Sequence, residues 1–235
     1  IPMAVLFDGK QHLIEQYAIA TTPSLSLTSA TKLNRAGIDI MASGLTQSVQ
    51  GFSELPAVNK ELSNIDKIYT ALFYKDDKFL VKTVSQEISQ GRYSIVHVAT
   101  HGEFNQDYKK SFLLAYDGKI TMNTLENTIG LRRYLNSPLE LLVLSACQTA
   151  AGDDRAALGL AGVAIKSGAR SALATLWFIN DAATVELVTD FYKNLQHSEL
   201  SKAQALQQAQ LVLLRNKQTA HPAFWAPFLL IGNWL

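Results

Sequence analysis

The sequence predicts an α/β protein with a mostly parallel central sheet flanked by helices on both faces. Two observations carry that prediction. Short apolar runs alternate with stretches of helical periodicity from near the start of the chain to its end, which is the pattern of parallel βαβ units. Several of those runs are apolar at every position, as strands covered on both faces must be. The chain has 235 residues with 48% hydrophobic content, enough for a sizeable core. No repeat, low-complexity tract or Pro/Ser-rich linker divides it, so one domain over residues 1–235 is expected.

Taken in order, Tyr17 to Thr22 and Ile38 to Ser43 read as strands. Leu55, Val58, Leu62 and Ile65 then fall at spacings of three, four and three, an amphipathic stripe with Pro56 in the first turn, where its missing N–H costs nothing. Ile68 to Tyr74 is the next strand. Thr83 with Gln86 has the form of a capping box, opening a short helix that Gly91 closes. Ile95 to Thr100 is a strand, and Phe112 to Thr121, with Asp117-Gly118 between apolar flanks, reads as a β-hairpin beside it. Leu141 to Ser145 follows as a strand, then a helix on Leu158, Ala161, Gly162 and Ile165 that ends at Gly168. Ser171 to Thr175 is a strand. Val185, Val188, Tyr192 and Leu195 form a stronger helical stripe behind Asn180 or Asp181 as N-cap. Ser201 with Gln204 caps the last helix, which runs toward Asn216, and Phe228 to Ile231 is the final strand.

Charge excludes some functions. Lys and Arg number 21 against 20 Asp and Glu, so no overall field draws the chain to nucleic acid or to an acidic membrane. No apolar run approaches the roughly 20 residues that cross a bilayer. A single cysteine cannot form an internal disulfide, which points to a reducing compartment, by default the cytoplasm.

That cysteine, Cys147, stands just past the apolar run Leu141 to Ser145, and His101, followed by Gly102, stands just past Ile95 to Thr100. Open parallel sheets keep their chemistry at the carboxyl ends of neighbouring strands. If these two strands are neighbours, imidazole and thiol meet above the sheet. A thiol has a reference pKa near ~8.5 and needs a nearby imidazole or helix N-terminus to become a ready thiolate. The helix after Cys147, opening around Asp153 or Asp154, offers the second of these. Gly102 has no side chain to block a close approach, so its amide, with that of Cys147, suits a tetrahedral oxyanion. The chemistry this pattern serves is acyl transfer, which needs neither metal nor cofactor.

The segments HVATHG, His97 to Gly102, and LSACQT, Leu144 to Thr149, place histidine and cysteine 46 residues apart. They resemble the signatures of caspase-like cysteine peptidases, whose QAC motif follows a histidine by about 50 residues. The resemblance is closer still to the bacterial CHAT family, caspase-type domains found with tetratricopeptide repeats. It continues through Gly159 to Gly162, Gly168 to Ser171, Ala174 to Trp177, Asn180-Asp181, Phe191-Tyr192, His221-Pro222, Trp225 to Phe228 and Ile231 to Trp234. Asp8 to Lys10, Tyr17 to Ile19 and Pro23-Ser24 resemble the family's opening. What the resemblance implies is a caspase-like fold, a dyad of His101 and Cys147, a protein or peptide substrate, and a helical-repeat region N-terminal to this domain in a longer polypeptide. Ile1 in place of an initiator methionine fits that expectation. The chain departs from caspases at Thr149-Ala150, where they place a glycine, so the substrate groove is not carried over.

Other residues have competing readings. Glu103, Asp107, Asp153 and Asp154 flank the motifs; Asp154 is the candidate for a pocket that holds a basic side chain, and solvation or helix capping explains all four equally well. His97 shares strand parity with His101, but four strand residues span about 13 Å, too far for one metal ion, so a structural role is expected. Trp177 and Trp225 read as core aromatics. Gly159, Gly162 and Gly168 form no phosphate loop. Two functions remain: a cysteine endopeptidase that cuts proteins, its own chain included, under an N-terminal sensor, and a catalytically silent domain that binds partner peptides.

Overall fold

The structure, a computed structural model, describes residues 2–22, 24, 28, 30–105, 108–135, 137–145, 148–149, 156–177, 181–197 and 199–235. In chain order its elements are α1 (Leu13–Gln16), β1 (Ile40–Gly44), α2 (Pro56–Ile68), β2 (Ala71–Lys75), α3 (Val81–Ser89), β3 (Ile95–Ala99), β4 (Gly102–Phe104), β5 (Phe112–Leu114), β6 (Lys119–Thr121), α4 (Met122–Leu131), β7 (Leu141–Ser145), β8 (Gln148–Thr149), α5 (Ala156–Ser167), β9 (Ser171–Thr175), α6 (Asp181–Leu195), α7 (Lys202–Arg215) and β10 (Phe228–Gly232). Six strands form the central sheet in the order β10-β9-β7-β3-β1-β2, and β6-β5-β4-β8 form a small second sheet. All central pairs are parallel except β10 with β9.

The unbroken apolar runs became the middle of the sheet because only there are both faces covered. All five residues of β3 and the first four of β7 are buried. On one face Ile95 and Ala99 pack with Val58, Leu62 and Ile65 of α2 and with Leu187 and Phe191 of α6. On the other, Val96 and Val98 meet Val84 of α3, Leu125 of α4 and Ala164 of α5. At about 25 cal/mol per Å² of apolar area these two layers supply the main drive to fold. Among the described residues no helix is long and apolar enough to cross a membrane.

Differences from the sequence reading have identifiable causes. Tyr17 to Thr22 is not a strand; Thr21 makes one bridge to Ile231, donating to the Leu230 carbonyl at 2.8 Å and accepting from the Gly232 amide at 2.8 Å, which covers the outer edge of β10. Ile68 closes α2, and β2 starts at Ala71. Thr83 lies inside α3, whose first amide, Val81, is capped at 2.8 Å by the Asp117 carboxylate of the hairpin. A distant side chain therefore replaced the expected local cap. The Ser201–Gln204 capping box is present in full. Helix α4, unread in the sequence, follows the hairpin directly with Thr121 as its N-cap; its Thr and Asn content is weakly helical and the preceding strand hides its start.

Candidate active site

The carboxyl ends of β1, β3 and β7 form one rim. Gly44 closes β1 where a Cβ would lie 2.8 Å from the Ala99 carbonyl oxygen and 2.6 Å from Val58 Cγ1, so a bare backbone lets the chain leave the sheet here. The segment that leaves, Leu45 to Leu55, folds back over the end of β3. Its tip is a two-residue turn in which Gln50 and Gly51 have φ of 51° and 84°, the left-handed pair that closes a tight hairpin. Its neck is joined by the Leu55 amide donating to the Thr46 carbonyl at 3.1 Å.

This loop receives His101. The ring is 9% exposed, and its Nε2 lies 2.7 Å from the Ser53 carbonyl oxygen. A carbonyl only accepts, so Nε2 carries a proton, and in the neutral form of the ring the lone pair falls on Nδ1. The Phe52 ring lies 5.2 Å from the imidazole at 38°, and stands edge-on to Phe112 at 6.3 Å. On the backbone side, Leu114 donates to the His101 carbonyl at 2.8 Å, and the buried Thr100 hydroxyl donates to the Leu114 carbonyl at 2.6 Å. A histidine held on three sides in this way has one tautomer and one orientation, which general acid–base chemistry requires.

Strands β3 and β7 are parallel neighbours. Ala99 of β3 pairs with Ser145 of β7, and His101 and Cys147 each stand two residues beyond that pair in the sequence. Past the rim Glu103 of β4 pairs with Gln148 of β8. Cys147 and Asp154, with Asp107 and Asp153, lie outside the described residues. Gly102 is buried at the start of β4, opposite Leu113.

His97, on the same parity, is sealed in the core at 0% exposure. Its Nδ1 faces the Tyr192 hydroxyl at 3.2 Å, and its Nε2 is 3.0 Å from Glu61 Oε1, an ion-pair distance without hydrogen-bond alignment. Burial, then the Glu61 charge, holds the Tyr192 phenol well above its ordinary pKa. His97 thus packs under the sheet. Trp225 is also core, its Nε1 donating to the Ala220 carbonyl at 3.0 Å, and Trp177 packs against the same layer. Among the described residues no three His, Cys, Asp or Glu side chains come together as a metal site would need. Sequence reasoning missed Ser53 and Phe52. The first acts through a carbonyl that every residue has, and only the Gln50-Gly51 turn signal could have pointed to the loop that carries both.

A sequence description of the CHAT domain matches residues 1–233. The chain belongs to the CHAT-domain family. Tetratricopeptide repeat protein 28 of Homo sapiens is 32% identical over 101 residues, and its Mus musculus counterpart 34%; in each case the match is 42% of this chain and 4% of the relative. Among solved structures, the complex of the pro- and mature domains of Porphyromonas gingivalis RgpB superposes with a TM-score of 0.54 at 12% identity, over 84% of this CHAT domain and 47% of that chain. The Drosophila initiator caspase Dronc gives 0.53 at 13%, over 99% and 94%. The fold of this CHAT domain is caspase-like.

Proposed function

We propose that residues 1–235 form one peptidase domain, a cysteine endopeptidase in which Cys147 is the nucleophile and His101 the acid–base. Nδ1 of His101 takes the proton of the Cys147 thiol, and the resulting thiolate attacks the scissile carbonyl carbon; the C–S bond forms and the carbonyl electron pair moves to oxygen, held by the amides of Gly102 and Cys147. Collapse breaks the C–N bond, and His101 gives its Nδ1 proton to the leaving amine. Water, deprotonated by the same nitrogen, attacks the thioester carbonyl; the C–S bond breaks, the acid product leaves, and the Nδ1 proton returns to the Cys147 sulfur. The step needs no cofactor.

The observation that carries this reading is the His101 ring, pinned through Nε2 to the Ser53 carbonyl at the end of the strand beside β7, with Nδ1 left as the base. The family membership and the caspase-like fold support it. Asp154, among the residues after Cys147, is the proposed floor of a pocket for a basic side chain. Similarity to a protein named for its tetratricopeptide repeats supports a helical-repeat region, N-terminal to this domain in the same polypeptide, that controls the cut.

A positional-scanning peptide library, run on the wild type and on Cys147→Ala with that region present and stimulated, tests the proposal. Cleavage by the wild type alone is expected, with a preference for a basic residue before the cut. Intact peptides with both proteins would overturn it and leave the peptide-binding reading.

A further inference from the structure

Asp76 lies far from the dyad in sequence, on the far side of β1, and its side chain has an unusual environment. It follows directly on β2, is 7% exposed, and has φ of 50°, a left-handed backbone that costs any residue with a Cβ. A buried carboxylate in strained backbone persists only where the surroundings hold it. Here they do: Oδ1 accepts from the Thr46 amide at 2.7 Å, the Gln47 amide at 3.3 Å and the Thr46 hydroxyl at 3.0 Å, and Oδ2 accepts from that hydroxyl at 2.8 Å. All of these donors belong to the neck of the loop that delivers Ser53 and Phe52 to His101. The path is short. Asp76 fixes Thr46, the Thr46 carbonyl takes the Leu55 amide, and Ser53 lies two residues before Leu55. The tip of the loop is tied separately, the Gln50 side-chain Nε2 donating to the Ala115 and Tyr116 carbonyls at 3.0 and 3.1 Å, and Tyr116 is itself joined to the Asp76 turn, its backbone amide donating to the Phe79 carbonyl at 2.9 Å.

We propose that Asp76 is a positioning residue for His101: its carboxylate clamps the neck of the Leu45 to Leu55 loop and so fixes the carbonyl that sets the histidine's tautomer. The inference rests on the dyad reading for its consequence, but its physical content, one tautomer imposed through a loop, stands without it. Charge-assisted hydrogen bonds to backbone amides suit this task, because they hold two consecutive residues at once and cannot be replaced by packing.

Asp76→Gly removes the clamp while giving the backbone a residue at ease with positive φ; Asp76→Asn keeps one acceptor oxygen and serves if the glycine variant fails to fold. Two readouts are needed. Cys147 is the sole cysteine, so iodoacetamide labelling reports on it alone. At pH 7 the labelling rate should fall on the order of tenfold or more in Asp76→Gly, as expected for a catalytic group displaced by about 1 Å, should fall less in Asp76→Asn, and should fall at least as far in the reference variant His101→Ala. Nitrogen-15 NMR of the imidazoles should show a single Nε2–H tautomer for His101 in the wild type and a mixture in Asp76→Gly. If His101→Ala slows labelling and neither Asp76 variant does, the positioning role is overturned and the dyad survives. If His101→Ala leaves labelling unchanged, the dyad reading fails instead. The NMR signature then decides Asp76 alone: a mixed tautomer supports the clamp, and an unaltered Nε2–H overturns it.

Discussion

His97 lies inside β3 and His101 four residues on, past the strand's end, and the protein treats them as different chemical objects. His97 is buried between a carboxylate and a phenol, both side chains, in a layer fixed by α2 and α6. His101 stands past the end of β3 and takes its partner from a backbone carbonyl on a loop. The inner site depends on residue identity at every contact. The outer one depends on loop geometry, which brings the Ser53 carbonyl to Nε2.

Substitutions can break the comparison. His101→Ala should lower kcat/KM on library-selected peptides by about 10³, the range of a general acid–base group, while the thermal midpoint moves by only a few degrees. His97→Ala should do the reverse: it strands Glu61 without its partner and should destabilise by about 3 kcal/mol in urea titration, with turnover per folded molecule retained. Replacing both His97 and Glu61 by leucine should recover most of that loss, since a well-packed apolar pair can match a buried ionic one.

A third buried ionisable group sharpens the contrast from the opposite edge of the sheet. Lys202, the first residue of α7, is 0% exposed, and burial pushes its ammonium down to about 8; Glu140 opposes this, while Arg170 and Arg35 add to it. The unfolded side chain, at an ordinary 10.5, binds a proton that the folded one gives up. Its cost is therefore present in full below about pH 8 and is relieved as pH rises from 8 toward 10.5. Lys202→Met should raise stability by about 2–3 kcal/mol at pH 7, and the gain should vanish toward pH 10.5; a gain independent of pH would assign it to packing. The smallest effect is expected at Gly51, with φ of 84° and open space around it. Gly51→Ala should cost about 1 kcal/mol, yet disturb His101 more than a surface change of that size should, read by the same nitrogen-15 tautomer signature.

Much of the frame was legible. Leu141 to Ser145 and Ser171 to Thr175 were read to the residue, and the Ser201–Gln204 box marked the start of α7, because an all-apolar run and a cap are local signals. Tyr17 to Thr22 failed because an extended segment with one bridge has a strand's letters without a strand's partner. Thr83 failed because Asp117, from the hairpin, took the capping role. His101 was legible as a polar residue where a buried run ends. Ser53 and Asp76 were not, since the first acts through a group common to all residues and the second acts on a loop known only once the strands are ordered.

By itself the sequence determined most of the strands and helices, and that a His-Gly pair and the lone cysteine each follow an apolar run; periodicity and capping act over a few residues and need no fold. Only the tertiary structure decided that β3 lies beside β7, that β10 runs antiparallel at the edge, and that a carbonyl held through Asp76 meets His101. Strand order and a backbone hydrogen bond depend on how distant layers pack, and no single side chain's identity carries that information.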